Sequence, residues 1–182
     1  MLFRSNLKPG LNLEKVEKPK ISIIIPMYNE EKNVLKVIRT VQNQKLQEIE
    51  IVCVNDNSND NTLQILEDLQ KEDQRITIIN NKKNRGVIYS RIYGAIRSRG
   101  EYVTFIDADD GLCNGDILYK AYNKATKEFG ERIDIIHYQT CGCLVDEKGA
   151  MDKMVIFNTF NPNTFDQVVR SPYIGDNYFQ GK

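Results

Sequence analysis

Three carboxylates, Asp107, Asp109 and Asp110, directly follow the apolar run of residues 102–106. Like charges this close repel one another and resist desolvation, so the chain must supply something that compensates them. A turn or a helix cap explains one or two aspartates, because Asp is favoured in both. A divalent cation explains all three, because carboxylate oxygens are hard ligands suited to Mg²⁺ or Mn²⁺. Both interpretations are open from the residues alone.

Two further polar residues each have two interpretations. Asp56 lies in the run VNDNSND, where Asx-turn and N-cap chemistry explain much of the composition and a ligand contact is the alternative. Arg91 lies on a predicted helix on which Ile88, Ile92 and Ala95 are expected to face the core. Its guanidinium either extends outward to solvent or pairs with a phosphate or a site carboxylate.

The other charged or titratable residues are weaker candidates for a binding or catalytic role. Lys82, Lys83 and Arg85 are predicted to form a solvated loop on the ligand side of the fold. His137 is the only histidine and is predicted to be a core or strand residue. A single histidine in that position supports neither a Ser-His-Asp nor a Cys-His arrangement.

Four apolar runs are predicted to be the strands that position these residues. The runs are nearly continuously apolar, which is typical of parallel strands covered on both faces. Their starts lie roughly 25 residues apart, room for a strand, a helix and two short loops. The predicted fold class is therefore α/β, a mostly parallel sheet with helices on both faces. The predicted strands are residues 21–28, 49–55, 76–80 and 102–108.

Amphipathic stretches between these runs are predicted to be helices. Helix N-termini are expected at Asn29 and at residues 58–60, because Asn, Asp and Ser are favoured there. A fifth unit is predicted from a helix near residues 115–129 and a strand near residues 133–138. Weaker signals follow for a short strand and a short helix, at residues 154–160 and 165–170.

Polar residues follow all four predicted strands. Because ligands bind outside the carboxyl ends of such strands, these loops are the predicted site. No GxGxxG or Walker glycine loop follows the first strand, which argues against a dinucleotide or P-loop site. The loops are residues 28–30, 55–58, 80–86 and 107–110.

Composition narrows the class of protein. The 182 residues are enough for one domain with a substantial core. Lys plus Arg equals Asp plus Glu at 25 each, so no overall field favours nucleic acid or an anionic membrane. The four cysteines form no CxxC and indicate reduced thiols, as expected in the cytoplasm or at the cytosolic face of a membrane. Residues 1–19 are predicted to be a polar lead-in, and membrane association is expected only through sequence outside this chain.

Three segments together resemble the donor half of family 2 glycosyltransferases, which have the GT-A fold. The segments are ISIIIPMYNEEKNV, IVCVNDNSNDNTLQIL and NRGVIYSRIYGAIRSRGEYVTFIDADD, within roughly residues 20–125. The resemblance implies inverting, metal-assisted transfer of a sugar from a nucleotide-diphosphate donor, most often a UDP-sugar. It implies a hydroxyl of a carbohydrate or lipid-linked molecule as the acceptor, and Mn²⁺ or Mg²⁺ as the cofactor.

The resemblance also implies residue roles at the nucleotide. Pro26, Tyr28, Asn29 and Glu30 match a first-strand motif that lies beside the base and ribose. Asp56 matches an acidic residue that hydrogen-bonds the base, commonly uracil.

On the diphosphate side, Asp107-Ala108-Asp109 matches the Asp-x-Asp motif that contacts ribose and the metal ion. Arg91 matches the arginine of an Asn-x-Gly…Arg pattern, and Asp110 is assigned no contact.

The chain departs from the family pattern at two positions. Asn57 stands where the family often has Gly, and Asn is expected to adopt the same left-handed conformation. Ile92 stands where an Asn usually follows the arginine.

The resemblance further implies a division of the chain. Residues 20–145 are expected to be the nucleotide-sugar-binding core, and residues 146–182 the start of an acceptor-side region. The general base is expected beyond Lys182, since nothing favours any one of the carboxylates after the motif. Those carboxylates are Asp146, Asp152, Asp166 and Asp176.

Two other functions are weighed against transfer. One is a sugar-nucleotide-binding domain without transfer activity of its own. The other is a nucleotidyltransferase, which usually has a glycine-rich basic loop after the first strand. The segment PMYNEEKN has no glycine there.

Overall fold

The computed structural model describes residues 2–4, 18–128, 135–136, 141–145 and 151–156, with side chains from Lys18 to Lys127. The chain divides into two compact units, Met1–Ile136 and His137–Lys182. The sequence placed this boundary after residue 145. Each unit is described by itself.

Four parallel strands form the centre of the first unit. They are β2 (Ile21–Met27), β3 (Ile49–Asn55), β4 (Ile76–Asn80) and β5 (Tyr102–Phe105). Strand β2 pairs with β3 on one side and with β5 on the other, so the order along the sheet is β4-β3-β2-β5. Every residue of β2 and β3 is buried. The predicted α/β class and parallel sheet are confirmed; β5 ends three residues earlier than predicted.

Two short antiparallel strands extend this sheet. Strand β1 (Leu2–Arg4) pairs with β5, and β6 (Ile135–Ile136) pairs with β1. Strand β6 lies within the predicted strand at residues 133–138. The sequence did not predict β1, because three residues inside the predicted polar lead-in are too few to show periodicity.

Helices cover both faces of the sheet, as predicted. Helices α1 (Val34–Gln42), α2 (Thr62–Glu72) and α4 (Ile117–Asn123) bury their apolar residues in the larger core, and a π-helical turn, Lys124–Glu128, follows α4. Helix α3 (Val87–Arg97) contacts β2 and β3, where Ala95 packs in the smaller cluster on the other face. Alternation along the strands separates the two cores, since neighbouring side chains point to opposite faces.

The orientation of α3 differs from the prediction. Ile88 and Ile92 were expected to face the core, but they are 70% and 56% exposed. The helix instead buries Ser90 and Gly94. A Cβ at Gly94 would lie 2.7 Å from Cγ2 of Ile24, so the sheet admits only a small residue there. The four-residue spacing of the isoleucines therefore marks the outer face of the helix.

The second unit contains one described hairpin. Strands β7 (Cys141–Val145) and β8 (Met151–Ile156) pair antiparallel, with Cys141 opposite Ile156. Strand β8 overlaps the predicted strand at residues 154–160, and the predicted helix at 165–170 lies outside the described residues. None of the helices in the described ranges is long and apolar enough to cross a membrane.

Candidate functional site

The loops after β2 and β3 are joined by side chain–backbone hydrogen bonds. The Asn29 N–H donates to Ser58 Oγ at 3.0 Å, and the Asn59 N–H donates to Asn29 Oδ1 at 2.8 Å. The Glu31 N–H donates to Asp60 Oδ2 at 3.0 Å. Strand order reverses between β2 and β5, because β2 has β3 on one side and β5 on the other, so the loop after β2 lies beside that point. That crevice is where ligands bind in open α/β sheets.

Two asparagines give these loops their shape. Asn29 and Asn57 have φ values of +57° and +62°, a region that few residues other than Gly, Asn and Asp adopt. The predicted left-handed conformation of Asn57 is confirmed.

The helices after these loops begin later than predicted. Helix α1 begins at Val34 and α2 at Thr62. The predicted starts at Asn29 and residues 58–60 were wrong because those residues hold the two loops together. Asp60 still serves the start of α2, since its Oδ1 accepts a hydrogen bond from the Thr62 N–H at 3.0 Å.

Asp56 is a buried carboxylate, only 3% exposed, at the end of β3. Its Oδ1 accepts a hydrogen bond from Asn81 Nδ2 at 2.7 Å and from the Arg85 N–H at 2.9 Å. Its Oδ2 accepts one from the Gly86 N–H at 2.7 Å and shares the Arg85 N–H at 3.0 Å. These bonds compensate the buried charge and fix the start of α3 against β3. The turn interpretation of Asp56 therefore holds.

Asn81 supports this arrangement and was not among the predicted site residues. Its side chain is buried, and besides Asp56 it contacts Ser90 Oγ at 3.3 Å. Its backbone N–H donates to the Asn55 carbonyl at 2.9 Å. The polar run at residues 80–86 contained the signal, but nothing in the sequence distinguishes Asn81 from Asn80 or Asn84.

Arg91 and Asp107 form an ion pair across the site. Arg91 Nη2 donates to Asp107 Oδ1, joining α3 to the segment after β5. The two side chains are 36% and 44% exposed, so both remain accessible to a ligand. Of the two interpretations of Arg91, pairing with a site carboxylate is confirmed. Arg91 Nε is buried with no partner, leaving one guanidinium donor unsatisfied.

The segment Asp107–Asp110 is a turn. The Asp110 N–H donates to the Asp107 carbonyl at 3.1 Å, and Ala108 is buried while Asp109 projects into solvent. Partial burial, followed by the charges of Asp109 and Asp107, raises the pKa of the Asp110 carboxyl. The carboxylates of this turn thus interact unfavourably, and a turn alone does not relieve that repulsion.

The donor atoms of this turn fit a divalent metal ion. Within the described side chains, residues 18–127, no three His, Cys, Asp or Glu groups are placed to hold a metal together. Magnesium is commonly bound by one or two carboxylates with substrate phosphates and water completing the shell, and Asp107 and Asp109 supply such a pair. Even with Asp107 paired to Arg91, the turn keeps a net negative charge, and hard carboxylate oxygens are the ligands that suit Mn²⁺ or Mg²⁺.

Comparison with known families decides the classification. The family model described as glycosyl transferase family 2 matches residues 22–146, which include all four parallel strands except Ile21, and the polar loops after them. The chain belongs to glycosyl transferase family 2. The GT-A fold expected from the sequence is confirmed with it.

Individual relatives agree with this family. The chain is 32% identical over 139 residues to the Campylobacter jejuni GalNAc(5)-diNAcBac-PP-undecaprenol beta-1,3-glucosyltransferase, covering 74% of this chain and 41% of that protein. It is 32% identical to residues 1–349 of S. aureus TarS, solved in complex with UDP, with a TM-score of 0.52 over 56% of this chain and 30% of that TarS chain. A Pyrobaculum calidifontis mannosyltransferase, PcManGT, solved with GDP-Man and Mn²⁺, has the same fold at 22% identity and a TM-score of 0.56, covering 60% of this chain and 33% of PcManGT.

The first-strand residues of the family 2 motif have distinct environments. Pro26 is buried in β2 opposite Val54, and Tyr28 is largely exposed just after the strand. Glu30 Oε2 accepts a hydrogen bond from Asn33 Nδ2 at 2.8 Å, and the Glu30 carbonyl accepts one from the Val34 N–H at 2.9 Å. Of these residues, Tyr28 offers an accessible aromatic surface.

The remaining candidates from the sequence fall into two groups: those whose side chains the structure describes and those whose side chains it does not. Lys82, Lys83 and Arg85 are exposed, as the loop prediction expected. The side chains of His137 and of the candidate base residues lie outside the described side chains; of these residues, only the backbone of Asp152, on β8, is described.

Proposed function

We propose that this chain is the nucleotide-sugar-binding part of an inverting glycosyltransferase of the hexosyltransferase type. It takes a nucleotide-diphosphate sugar, with UDP-sugars preferred, and the acceptor contributes a hydroxyl. The observation that carries the proposal is the convergence of Asp56, Arg91 and the Asp107–Asp109 pair on one sheet edge of a family 2 chain. Because the chain spans 41% of a curated relative, the activity of the whole protein is part of this proposal.

The nucleotide is assigned to the end of the crevice nearer β2 and β3. Tyr28 lies beside the base and ribose with Pro26 and Glu30, and the Asp56 carboxylate accepts a base N–H. Uridine is preferred because its ring N–H matches a carboxylate acceptor, and TarS, a relative at 32% identity, was solved with UDP. The polar edge of β3 thus selects the base.

The diphosphate is assigned to the turn after β5. Asp107 and Asp109, with Ala108 between them, are the residues that hold Mn²⁺ or Mg²⁺. When bound, such an ion supplies positive charge that stabilises the departing nucleoside diphosphate. Arg91 orients Asp107 and offers its remaining guanidinium N–H groups to phosphate oxygens.

The acceptor is proposed to be a carbohydrate or a lipid-linked glycan on the cytosolic side. The Campylobacter jejuni relative is named for an undecaprenol-diphosphate-linked substrate, which supports the lipid-linked choice. Inversion requires the acceptor oxygen to attack the face of the anomeric carbon opposite the leaving group. A carboxylate deprotonates that hydroxyl. We place this general base outside the described side chains, in residues 146–182 or in sequence that follows them.

The test is a transfer assay with UDP-sugars, several acceptor glycans and Mn²⁺. Asp109→Asn keeps the shape but removes the charge, so product formation is expected to fall by roughly two orders of magnitude or more. Asp110→Asn is the matched control, one position along in the same turn. Equal activity in wild type and Asp109→Asn would overturn the proposal. Tight UDP-sugar binding without product would favour the alternative, a sugar-nucleotide-binding domain that does not transfer by itself.

A further inference from the structure

Helix α3 and its flanking loops form the most basic part of the chain. Residues 81–100 contain six Lys and Arg residues and no Asp or Glu, although the whole chain has 25 of each sign. Two of the six are paired, Arg91 with Asp107 and Arg99 with Glu50. The other four form no salt bridge within the described residues. Those four are Lys82, Lys83, Arg85 and Arg97.

The same helix carries most of the exposed apolar surface. Of eight large hydrophobic side chains exposed in the described region, five lie on α3: Val87, Ile88, Tyr89, Ile92 and Ile96. Ile88, Ile92 and Ile96 are 70%, 56% and 55% exposed. Their four-residue spacing places them on one stripe, opposite the buried Ser90 and Gly94. Leaving three isoleucines in water is unfavourable, and an apolar stripe of this kind marks a binding surface.

Aromatic and cationic side chains border this stripe. The Arg85 guanidinium lies over the Tyr89 ring at 4.7 Å, and Arg97 lies over the Tyr93 ring at 4.9 Å. The two tyrosine rings stack with centroids 5.6 Å apart. We call Ile88, Ile92 and Ile96 with these four flanking residues the α3 face.

We propose that the α3 face binds the surface of an anionic phospholipid bilayer. A helix with a bulky apolar stripe, aromatic flanks and Lys or Arg at its edges lies in the interfacial plane of a membrane. The isoleucines enter the acyl boundary, and Arg85, Arg97 and the nearby Lys82 and Lys83 reach the headgroup phosphates. This changes the expectation from the sequence, which placed any membrane association outside this chain.

Charge favours a bilayer over a second copy of the chain. In a two-fold dimer the same patch meets itself, so Arg85 and Arg97 of one copy would approach those of the other. An anionic bilayer instead presents unpaired negative charge across the whole face. The proposal is independent of sugar transfer, although Gly86, the residue directly before α3, donates its N–H to Asp56, so the same helix reaches both surfaces.

The experiment is sedimentation of the full chain with lipid vesicles, without nucleotide or metal. Vesicles of equal parts phosphatidylglycerol and phosphatidylcholine are compared with vesicles of phosphatidylcholine alone. Binding is expected to the anionic vesicles and to be about a hundredfold or more weaker, or lost, on the neutral ones, because each of the four Lys and Arg residues contributes about fivefold. No binding to anionic vesicles would overturn the proposal.

Variants locate the surface. Ile92→Asn combined with Ile96→Asn is expected to weaken binding by about tenfold or more, and Lys82→Gln with Lys83→Gln by a similar factor. The matched control is Leu35→Asn with Lys36→Gln. These two exposed residues lie on α1, the helix that packs on the opposite face of the sheet, and this variant should bind as wild type. Circular dichroism confirms that each variant is folded. Equal binding by all variants would overturn the proposal, as would concentration-dependent dimerisation that the Ile92→Asn, Ile96→Asn variant abolishes.

Discussion

The guanidinium of Arg91 donates a hydrogen bond to the carboxylate of Asp107, linking helix α3 to the end of strand β5 across the candidate site. The pair joins a helix that packs on β2 and β3 to the segment after β5, the strand on the other side of β2. It also places one positive charge against a turn that carries three negative ones. The position of the Asp107 side chain therefore depends on a residue sixteen positions earlier.

Replacing Arg91 tests this dependence. Arg91→Ala leaves Asp107 without its cation beside Asp109 and Asp110, so UDP-sugar affinity is expected to fall roughly tenfold. Global stability should change by less than about 1 kcal/mol, because both side chains are partly exposed. Calorimetry and urea unfolding measure the two effects. Arg97→Ala, on the same helix, is the control and should leave UDP-sugar affinity unchanged. If Arg91→Ala lowers stability without lowering affinity, the ion pair between Arg91 and Asp107 has a structural role only.

Base preference tests Asp56. A carboxylate acceptor at this position predicts preference for uridine or guanosine nucleotides over cytidine nucleotides, which have no N–H at the equivalent ring position. A lost charged hydrogen bond typically costs ~1.5–3 kcal/mol, so CDP should bind about tenfold or more weakly than UDP. Competition between the two nucleotides for the same site measures the ratio. Comparable affinities would confine Asp56 to holding Asn81, Arg85 and Gly86.

The close approach of α3 to the sheet predicts a stability effect at Gly94. The added Cβ in Gly94→Ala would lie 2.7 Å from Ile24 Cγ2 and 3.0 Å from Val54 Cγ2. Overpacking of this kind is expected to cost about 1–3 kcal/mol in urea unfolding. Ile24→Ala removes Cγ2 and Cγ1, the Ile24 atoms nearest the added Cβ, so the double variant should recover part of that loss beyond additivity. Strictly additive effects would mean that α3 relaxes away from the sheet.

Sequence predicted the parts of the fold that rest on local pattern. Continuous apolar runs identified β2 to β5 because both faces of a parallel sheet are buried. The same reasoning failed for α3, where Ile88 and Ile92 suggested the buried face. Periodicity shows that a helix has two different faces. Here α3 approaches the sheet so closely that Gly94, and not the larger isoleucines, lies on the buried face.

The candidate site was likewise predicted only in part. The resemblance named Arg91 and Asp107, and the residues alone left the partner of Arg91 open, because a pairing between elements depends on tertiary packing. Asn81 was missed for that reason, and strand β1 because three residues carry no period.

Asp73 gives a pH-dependent prediction away from the site. The Arg75 side chain, which donates to both carboxylate oxygens at 2.9 and 2.8 Å, lowers the pKa of Asp73 from 3.8 to about 2. A folded-state pKa below the unfolded value stabilises the protein above pH ~4, and this contribution is lost as the pH falls through about 2. Asp73→Asn should therefore cost about 1 kcal/mol at neutral pH, discounted for partial solvent exposure, and nothing below pH 2.

Urea unfolding at both pH values measures this difference. Asp68→Asn is the control, because Asp68 is exposed and pairs only on the surface of α2 with Lys71. It should show no measurable change at either pH. An equal loss in Asp73→Asn at neutral and acid pH would mean that geometry, and not charge, is what Asp73 supplies.

Calorimetric titration of a UDP-sugar, with Mn²⁺ and then in excess chelator, tests most directly whether the carboxyl edge of the sheet is a nucleotide-sugar site. We predict binding with Mn²⁺ that weakens by about tenfold or more in chelator, since the Asp107 and Asp109 carboxylates would otherwise repel the diphosphate. Asp109→Asn should lose most of the metal-linked affinity, while Asp110→Asn retains it. Equal affinity with and without metal, or no binding in either condition, would contradict the assignment of this edge.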